Sequence, residues 1–212
     1  MRGNPLKSVF LLSSNAKMLT FVSSLNSKKL DINLTLLFVV ICLAYHTFSA
    51  TWYSVSLHRK LAIKVKVYLP LFMAVMPAAG FGFGLLTGIL FKPMAGNFSI
   101  TAGGLLLALI GLKIMYESFK FYPEERVILT DTLKSALLLA LSGSMNVFFG
   151  GFALGLAGFP VLMPMALLFG VSLVYTLAGI LLGNAHGYKT MPARLGILAG
   201  SLIVFFSIRM LY

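Results

Sequence analysis

A few polar side chains inside long apolar stretches are the residues of this chain that could do chemistry. His46 stands in LAYHTFSA (43–50), and Asn146 stands in SMNVFFG (144–150). A histidine nitrogen, an asparagine carbonyl and neighbouring hydroxyls can coordinate a divalent metal ion. His46 and Asn146 are therefore the candidate metal ligands, with supporting donors or acceptors at Tyr45, Ser49 and Ser144. The alternative is that both residues are satisfied polar groups bridging tightly packed helices.

Glu117 is the acidic residue that falls inside an apolar stretch, and it is a further candidate for ion binding. Lys113 precedes it by four residues, so the two can neutralise each other on one helix face. The alternative is an ion pair at the helix end, among the headgroups. The sequence has no phosphate-binding loop, no Cys-x-x-Cys and no His-Glu-x-x-His. It therefore predicts neither an enzyme nor a bound cofactor, and a transported divalent cation is the expected ligand.

The composition excludes an ordinary soluble domain. Of the 212 residues, 59% are hydrophobic and only 10% are charged, whereas soluble domains average roughly 25% charged residues. The net charge of +12 would suggest nucleic acid in a soluble protein. Here the basic residues flank apolar runs, where they act as topology signals and contact lipid headgroups. Membrane lipids are thus expected partners and nucleic acid is not.

Six apolar segments of about 20 residues predict an all-α integral membrane protein with six transmembrane helices. The predicted spans are 32–57, 67–91, 100–119, 132–159, 161–183 and 195–211. The corresponding domains are a basic N-terminal segment 1–30, a first three-helix repeat 31–119, a linker 120–131 and a second three-helix repeat 132–212.

The two halves of the chain resemble each other. Gly80 and Gly84 match Gly179 and Gly183 at a spacing of 99 residues. The third and sixth segments match at a spacing of 96 residues, with identical or similar residues at Gly104/Gly200, Leu106/Leu202, Lys113/Arg209 and Tyr116/Tyr212. The first segment aligns on the fourth at a spacing of 100, which places His46 over Asn146. Halves with an odd number of spans enter the membrane from opposite sides, so the sequence predicts inverted repeats with a site between them.

The basic residues also predict an orientation. The links after the first, third and fifth segments carry nine basic residues, against Lys92 and Arg209 on the other side. The positive-inside rule then places these links in the cytoplasm. The segment 1–30 opposes this with five basic residues. It is predicted not to span the membrane, and to be either a helix at the membrane surface or bound to a partner, or a disordered tail.

These motifs resemble those of the MntP family, which is assigned to manganese export within the LysE-like transporter superfamily. The resemblance covers residues 32–212 and includes the third segment, GGLLLALIGLKIMYESF (103–119), which ends in a Glu-x-Phe motif. It implies six spans in two repeats and a place in the bacterial inner membrane. Family members carry one intramembrane aspartate in each repeat for cation binding. Here His46 and Asn146 occupy those positions, so this chain is a divergent member without either carboxylate.

Two functions are compatible with this sequence. The first is a secondary transporter that exports a divalent cation by alternating access, with His46 and Asn146 at its central site. The second is a transport-inactive homologue that serves as a structural subunit of a larger membrane complex. Co-purification with unrelated subunits would favour the second function, and a lone monomer or homodimer would favour the first. Retention of polar residues at the motif positions favours the first, and loss of both carboxylates favours the second.

Overall fold

The computed structural model describes residues 34–56, 63–120, 133–186 and 191–211. The predicted N-terminal segment 1–30 and nearly all of the predicted linker 120–131 lie outside these residues. Residues Leu37–Tyr212 form one compact unit, and the residues before Leu37 belong to a separate one.

The described residues form helices and, within those ranges, no strand. Only the 3-10 turn Gly96–Phe98 and the short link 158–161 interrupt the longer described ranges. The helices are α1 (Leu34–Ser56), α2 (Ile63–Ala95), α3 (Ser99–Phe119), α4 (Leu133–Ala157), α5 (Leu162–His186) and α6 (Met191–Leu211).

Five helical stretches in the described part are long and apolar enough to cross a membrane. They are Leu34–Ser56, Tyr68–Phe119, Leu137–Ala157, Leu162–Asn184 and Met191–Leu211. The prediction of an all-helical multi-pass protein is confirmed. Five stretches appear instead of six because the 3-10 turn joins α2 and α3 into one run of 52 residues.

Some helices extend beyond the predicted spans, whereas α1 and α4 lie within theirs. The apolar run predicted a second span at 67–91, whereas α2 covers Ile63–Ala95 and contains Pro70, Pro77 and Pro93. The sixth span was predicted from 195, whereas α6 begins at Met191 and has Pro192 in its first turn, where the missing N–H is not needed. Hydropathy marks the part of a helix that lies in hydrocarbon and not its last turns, which accounts for these differences.

Contacts between helices fix their directions. Gly80, Gly84 and Gly88 of α2 lie against α4 at Ser144, Phe148 and Phe152 respectively, so α2 and α4 run parallel. Gly103 of α3 lies against Ala153 of α4, and Lys113 reaches Asn146 ten residues further on, so α3 and α4 run antiparallel. The chain therefore reverses direction between α2 and α3. Gly96, with φ of 52°, lies at this reversal.

Backbone contact between α2 and α4 is unusually close. A Cβ placed on Gly84 would lie 2.1 Å from the carbonyl oxygen of Phe148, and one on Gly155 would lie 2.4 Å from that of Leu85. Without hydrophobic driving force between helices in lipid, such close approach supplies the van der Waals contact that holds them together. The Gly151-x-x-x-Gly155 pair of the sequence is part of this interface.

The end of α4 is closed by a glycine. Gly158 adopts φ of 87°, a backbone conformation that residues other than glycine rarely adopt. Its N–H donates to the carbonyl of Gly155, and the next N–H, of Phe159, donates to that of Leu154. These bonds satisfy carbonyls that the helix end leaves without intrahelical partners.

Large apolar side chains cover the outer faces of the helices. The most exposed of them on the spans include Leu90, Leu181 and Phe83, each with more than 60% of its surface accessible. In water such exposure would be costly, and in a bilayer these faces meet lipid. The exposure pattern therefore agrees with a membrane protein.

Candidate functional site

Asn146 lies near the middle of α4 and is half-buried. Its Oδ1 accepts a hydrogen bond of 2.6 Å from Nζ of Lys113, on the neighbouring helix α3. The bond is charge-assisted, because the donor is an ammonium group. Asn146, the candidate ligand from the second half of the chain, is thus joined to a positive charge that comes from the first half.

Lys113 is shared between Asn146 and Glu117. The Oε1 atom of Glu117 lies 3.8 Å from Nζ of Lys113, so the predicted pair at i,i+4 spacing is present. The Glu117 side chain is 26% exposed and that of Lys113 is 55% exposed. The three residues form a chain that runs from carboxylate to ammonium to amide oxygen and crosses from α3 to α4.

His46 lies on α1 and packs on a glycine of α4. A Cβ added to Gly143 would lie 2.2 Å from Cδ2 and 2.4 Å from Nε2 of His46. Any side chain at position 143 would therefore displace the imidazole. Gly143 precedes Asn146 by three residues, about one helical turn, so Asn146 lies one turn along α4 from the stretch that contacts His46, and its own side chain bonds to α3.

Tyr45 points away from this stretch. Its hydroxyl donates to the backbone carbonyl of Pro192 in α6, and its ring lies against Gly196. It also borders a cavity of about 360 Å³ among α1, α5 and α6, whose lining includes Phe48 and Tyr175. The structure thus places Tyr45 against α6 and not beside Asn146.

The two serines bond within their own helices. Oγ of Ser49 donates to the carbonyl of His46 over 3.1 Å, and Oγ of Ser144 donates to that of Leu141 over 2.7 Å. Both are buried. Their hydrogens are thus used locally, which leaves only the hydroxyl oxygens to accept a bond or bind a cation.

The ligand set differs from an ordinary metal centre. In the described part of the chain, no three residues of the His, Cys, Asp and Glu types come together. Oxygen-loving divalent cations usually rely on carboxylates. The structure brings the Asn146 amide oxygen and the Glu117 carboxylate together around Lys113, whereas Ser144 lies against Gly80 of α2 and His46 against Gly143.

Sequence reasoning missed one partnership. Lys113 and Glu117 were paired by their spacing, but the reach of Lys113 to Asn146 depends on how α3 packs on α4, which spacing does not reveal.

We expect replacement of Tyr45 by phenylalanine to lower the stability modestly. A lost neutral hydrogen bond costs about 0.5–1.5 kcal/mol, and the Pro192 carbonyl loses this donor. Thermal unfolding in detergent, followed by circular dichroism, measures the change. Tyr68→Phe is the control, because Tyr68 is 45% exposed. An equal effect of both substitutions would contradict a specific role for the Tyr45 bond.

Helices of membrane-spanning length define a multi-pass α-helical membrane protein. The chain belongs to the family described as "Putative manganese efflux pump", whose profile matches residues 56–211. The predicted resemblance to the MntP family is confirmed. The matched region begins at the end of α1 and therefore includes Asn146, Lys113 and Glu117 but not His46.

Several curated relatives bear the name of this efflux pump. The chain is 33% identical to the one from Saccharophagus degradans over 146 residues, which is 68% of this chain and 76% of the relative. It is 28% identical to that of Bacillus pumilus over 158 residues, covering 74% and 82% of the two chains. With that of Shouchella clausii it shares 25% over 184 residues, covering 82% and 97%. No solved structure matches the chain.

Proposed function

We propose that this protein exports a divalent cation, manganese in the first instance, across the bacterial inner membrane. The observation that carries the proposal is the polar chain of Glu117, Lys113 and Asn146 between two helices of the spanning core. Polar and ionisable residues within spans are costly and commonly mark ion pathways. The names of the relatives provide the identity of the cation.

The proposed architecture has six crossings in two inverted repeats. Alternating contact directions along the chain, with the reversal between α2 and α3, support six crossings. The α3–α6 contact is compatible with the repeat: Gly111 lies on Gly200, and Gly104 lies on Leu211 with the Ser207 carbonyl next to it. The residue equivalent to Gly111 in the second half is Ser207, 96 residues later, and the residue equivalent to Gly200 in the first half is Gly104, 96 residues earlier. The first contact, between Gly111 and Gly200, therefore corresponds to the second, between Ser207 and Gly104. A twofold axis in the membrane plane would produce this relation.

The same symmetry brings the candidate ligands near the axis. His46 lies on Gly143 and Leu43 lies on Gly150, so α1 and α4 are antiparallel. If α1 and α4 are equivalent at a spacing of 100 residues, the twofold axis that relates these contacts passes near residue 45 of α1 and residue 145 of α4. His46 and Asn146 would then lie at similar depths, where alternating access requires the substrate to be held.

Each residue has a part in the proposed transport. Asn146 Oδ1 and a ring nitrogen of His46 would bind the cation. Rocking of one repeat against the other would open the site first to the cytoplasm and then to the outside. The sequence contains no nucleotide-binding loop, so an ion gradient or the membrane potential would supply the energy.

One observation favours the structural-subunit alternative. The Asn146 oxygen already accepts a bond from Lys113, and a fixed ammonium at that point opposes a second cation. If the pair were permanent, it would simply satisfy two polar residues between packed helices. The protein would then act as a subunit of a larger membrane complex and would not carry a cation.

Export is tested in bacteria that lack their own manganese exporter. Expression of the wild type should raise manganese tolerance and lower cellular manganese, measured by mass spectrometry. Asn146→Ala should abolish both effects, because it removes a proposed ligand. Ser201→Ala is the control, since Ser201 is exposed on α6 and bonds only to its own helix at Leu198. Wild-type protein that reaches the membrane without changing manganese would exclude export and favour the structural alternative.

A further inference from the structure

Lys113 occupies the oxygen that the proposed cation would use. Its ammonium lies 2.6 Å from Oδ1 of Asn146. A cation bound to that oxygen would lie within a few ångströms of the ammonium, and like charges at such separations repel strongly outside bulk water. Lys113 and the cargo therefore cannot both occupy the site.

The Lys113 ammonium also has an alternative acceptor. Glu117 offers a carboxylate oxygen 3.8 Å from the same Nζ, one turn along the same helix. The Lys113 side chain is 55% exposed, so packing does not fix it against Asn146. A small rotation of its long side chain would exchange the amide oxygen for the carboxylate.

We propose that Lys113 is a tethered competitor of the cargo, an internal cation that occupies Asn146 when the site is empty and transfers to Glu117 when a divalent cation binds. The inference rests on the proposed transport function and adds a specificity-determining residue to it. While the site is empty, the ammonium satisfies the Asn146 oxygen and keeps other cations out. When the site opens outward, the returning ammonium expels the cargo. Lys113 thus weakens binding and speeds release.

This role makes opposite predictions for binding and turnover. Lys113→Met keeps an unbranched side chain, one atom shorter, and removes its charge, so Mn²⁺ should bind about tenfold more tightly or better. Efflux should then saturate at a lower Mn²⁺ concentration, and its maximal rate should fall because release has lost its competitor. If Lys113 had only a structural role, its replacement would not lower the Mn²⁺ concentration at which efflux is half-maximal.

Binding is measured on the full chain in lipid nanodiscs by titration with MnCl2, following the electron paramagnetic resonance signal of free Mn²⁺. Lys113→Gln is the second neutral variant, in case the methionine variant does not fold. Lys92→Met is the matched control, because it removes the same charge where Lys92 lies by Gly158, at the far end of α4. The control should bind Mn²⁺ with wild-type affinity.

Glu117 provides a second arm of the experiment. Glu117→Gln should weaken Mn²⁺ binding in the wild type, because the displaced ammonium loses its alternative acceptor. Glu117→Gln should have no effect on Mn²⁺ binding in the Lys113→Met background, because that variant has no ammonium group to be displaced. Weakening by the same factor in both backgrounds would make Glu117 a direct ligand and overturn the exchange.

The remaining outcomes separate this inference from the proposed function. Tighter binding by both neutral Lys113 variants and not by Lys92→Met supports the competitor, even if the wild type binds too weakly to measure. Unchanged or weaker binding by the neutral variants, with measurable binding by the wild type, overturns the competitor and leaves export standing. Absence of Mn²⁺ binding from every variant overturns both.

Discussion

Replacement of Gly84 by alanine should prevent the protein from reaching a stable folded state. The added Cβ would lie 2.1 Å from the carbonyl oxygen of Phe148, and a backbone oxygen inside a helix cannot turn aside. Extra methylenes in a packed core already cost about 1–3 kcal/mol, and here α2 and α4 must separate along their whole contact. We expect little monodisperse protein after detergent extraction, as measured by fluorescence-detected size-exclusion chromatography.

Gly170 provides the matched control for this substitution. It lies within helix α5, and nothing lies within 4 Å of a Cβ placed on it. Gly170→Ala should therefore change stability by no more than about 0.5 kcal/mol, as is usual for open positions. Equal yields of the two variants would mean that α2 and α4 are not in the contact described.

Restoring two carboxylates should produce a strong gain of manganese export. In the double variant His46→Asp with Asn146→Asp, the proposed site gains two negative charges, and carboxylates are the ligands that Mn²⁺ prefers. Charged hydrogen bonds and ion contacts contribute about 1.5–3 kcal/mol each, so binding should tighten by about tenfold or more. Manganese tolerance and cellular manganese content in the exporter-deficient strain measure the gain.

The control for this gain is His46→Asn with Asn146 retained. Asparagine and aspartate have the same shape, so the two variants differ only by two charges. The neutral variant should show no gain. If the double-aspartate variant reaches the membrane and performs no better than the neutral one, charge at these positions does not limit transport.

Hydrophobicity predicted the helices well, because lipid forces the backbone to bond to itself within each span. The third span was expected at 100–119, and α3 covers Ser99–Phe119. The N-terminal end of α2 was placed too late. Its apolar run begins at Val67, but the helix begins at Ile63 and includes Lys64 and Lys66. A search for apolar runs leaves out these charged residues.

The residues of the candidate site follow from the sequence, but the contacts among them do not. The cost of polar groups in lipid singled out Asn146 and His46, and i,i+4 spacing gave the Lys113–Glu117 pair. The bond from Lys113 to Asn146 was not predictable, since it depends on how closely α3 packs on α4. Gly143 was not recognised either, because only the packing of α1 on α4 reveals that it makes room for an imidazole.

The glycine contacts have a consequence for how the protein is made. Those of Gly84, Gly103, Gly111, Gly143 and Gly183 each join a helix of one half to a helix of the other. When the first three helices have left the ribosome, the glycine surfaces of α2 and α3 have no partner helix. Until α4 and α6 are synthesised, these surfaces are accessible to unrelated helices and to membrane proteases. The two halves therefore mature together, and a chain interrupted at its centre leaves an unassembled fragment for degradation.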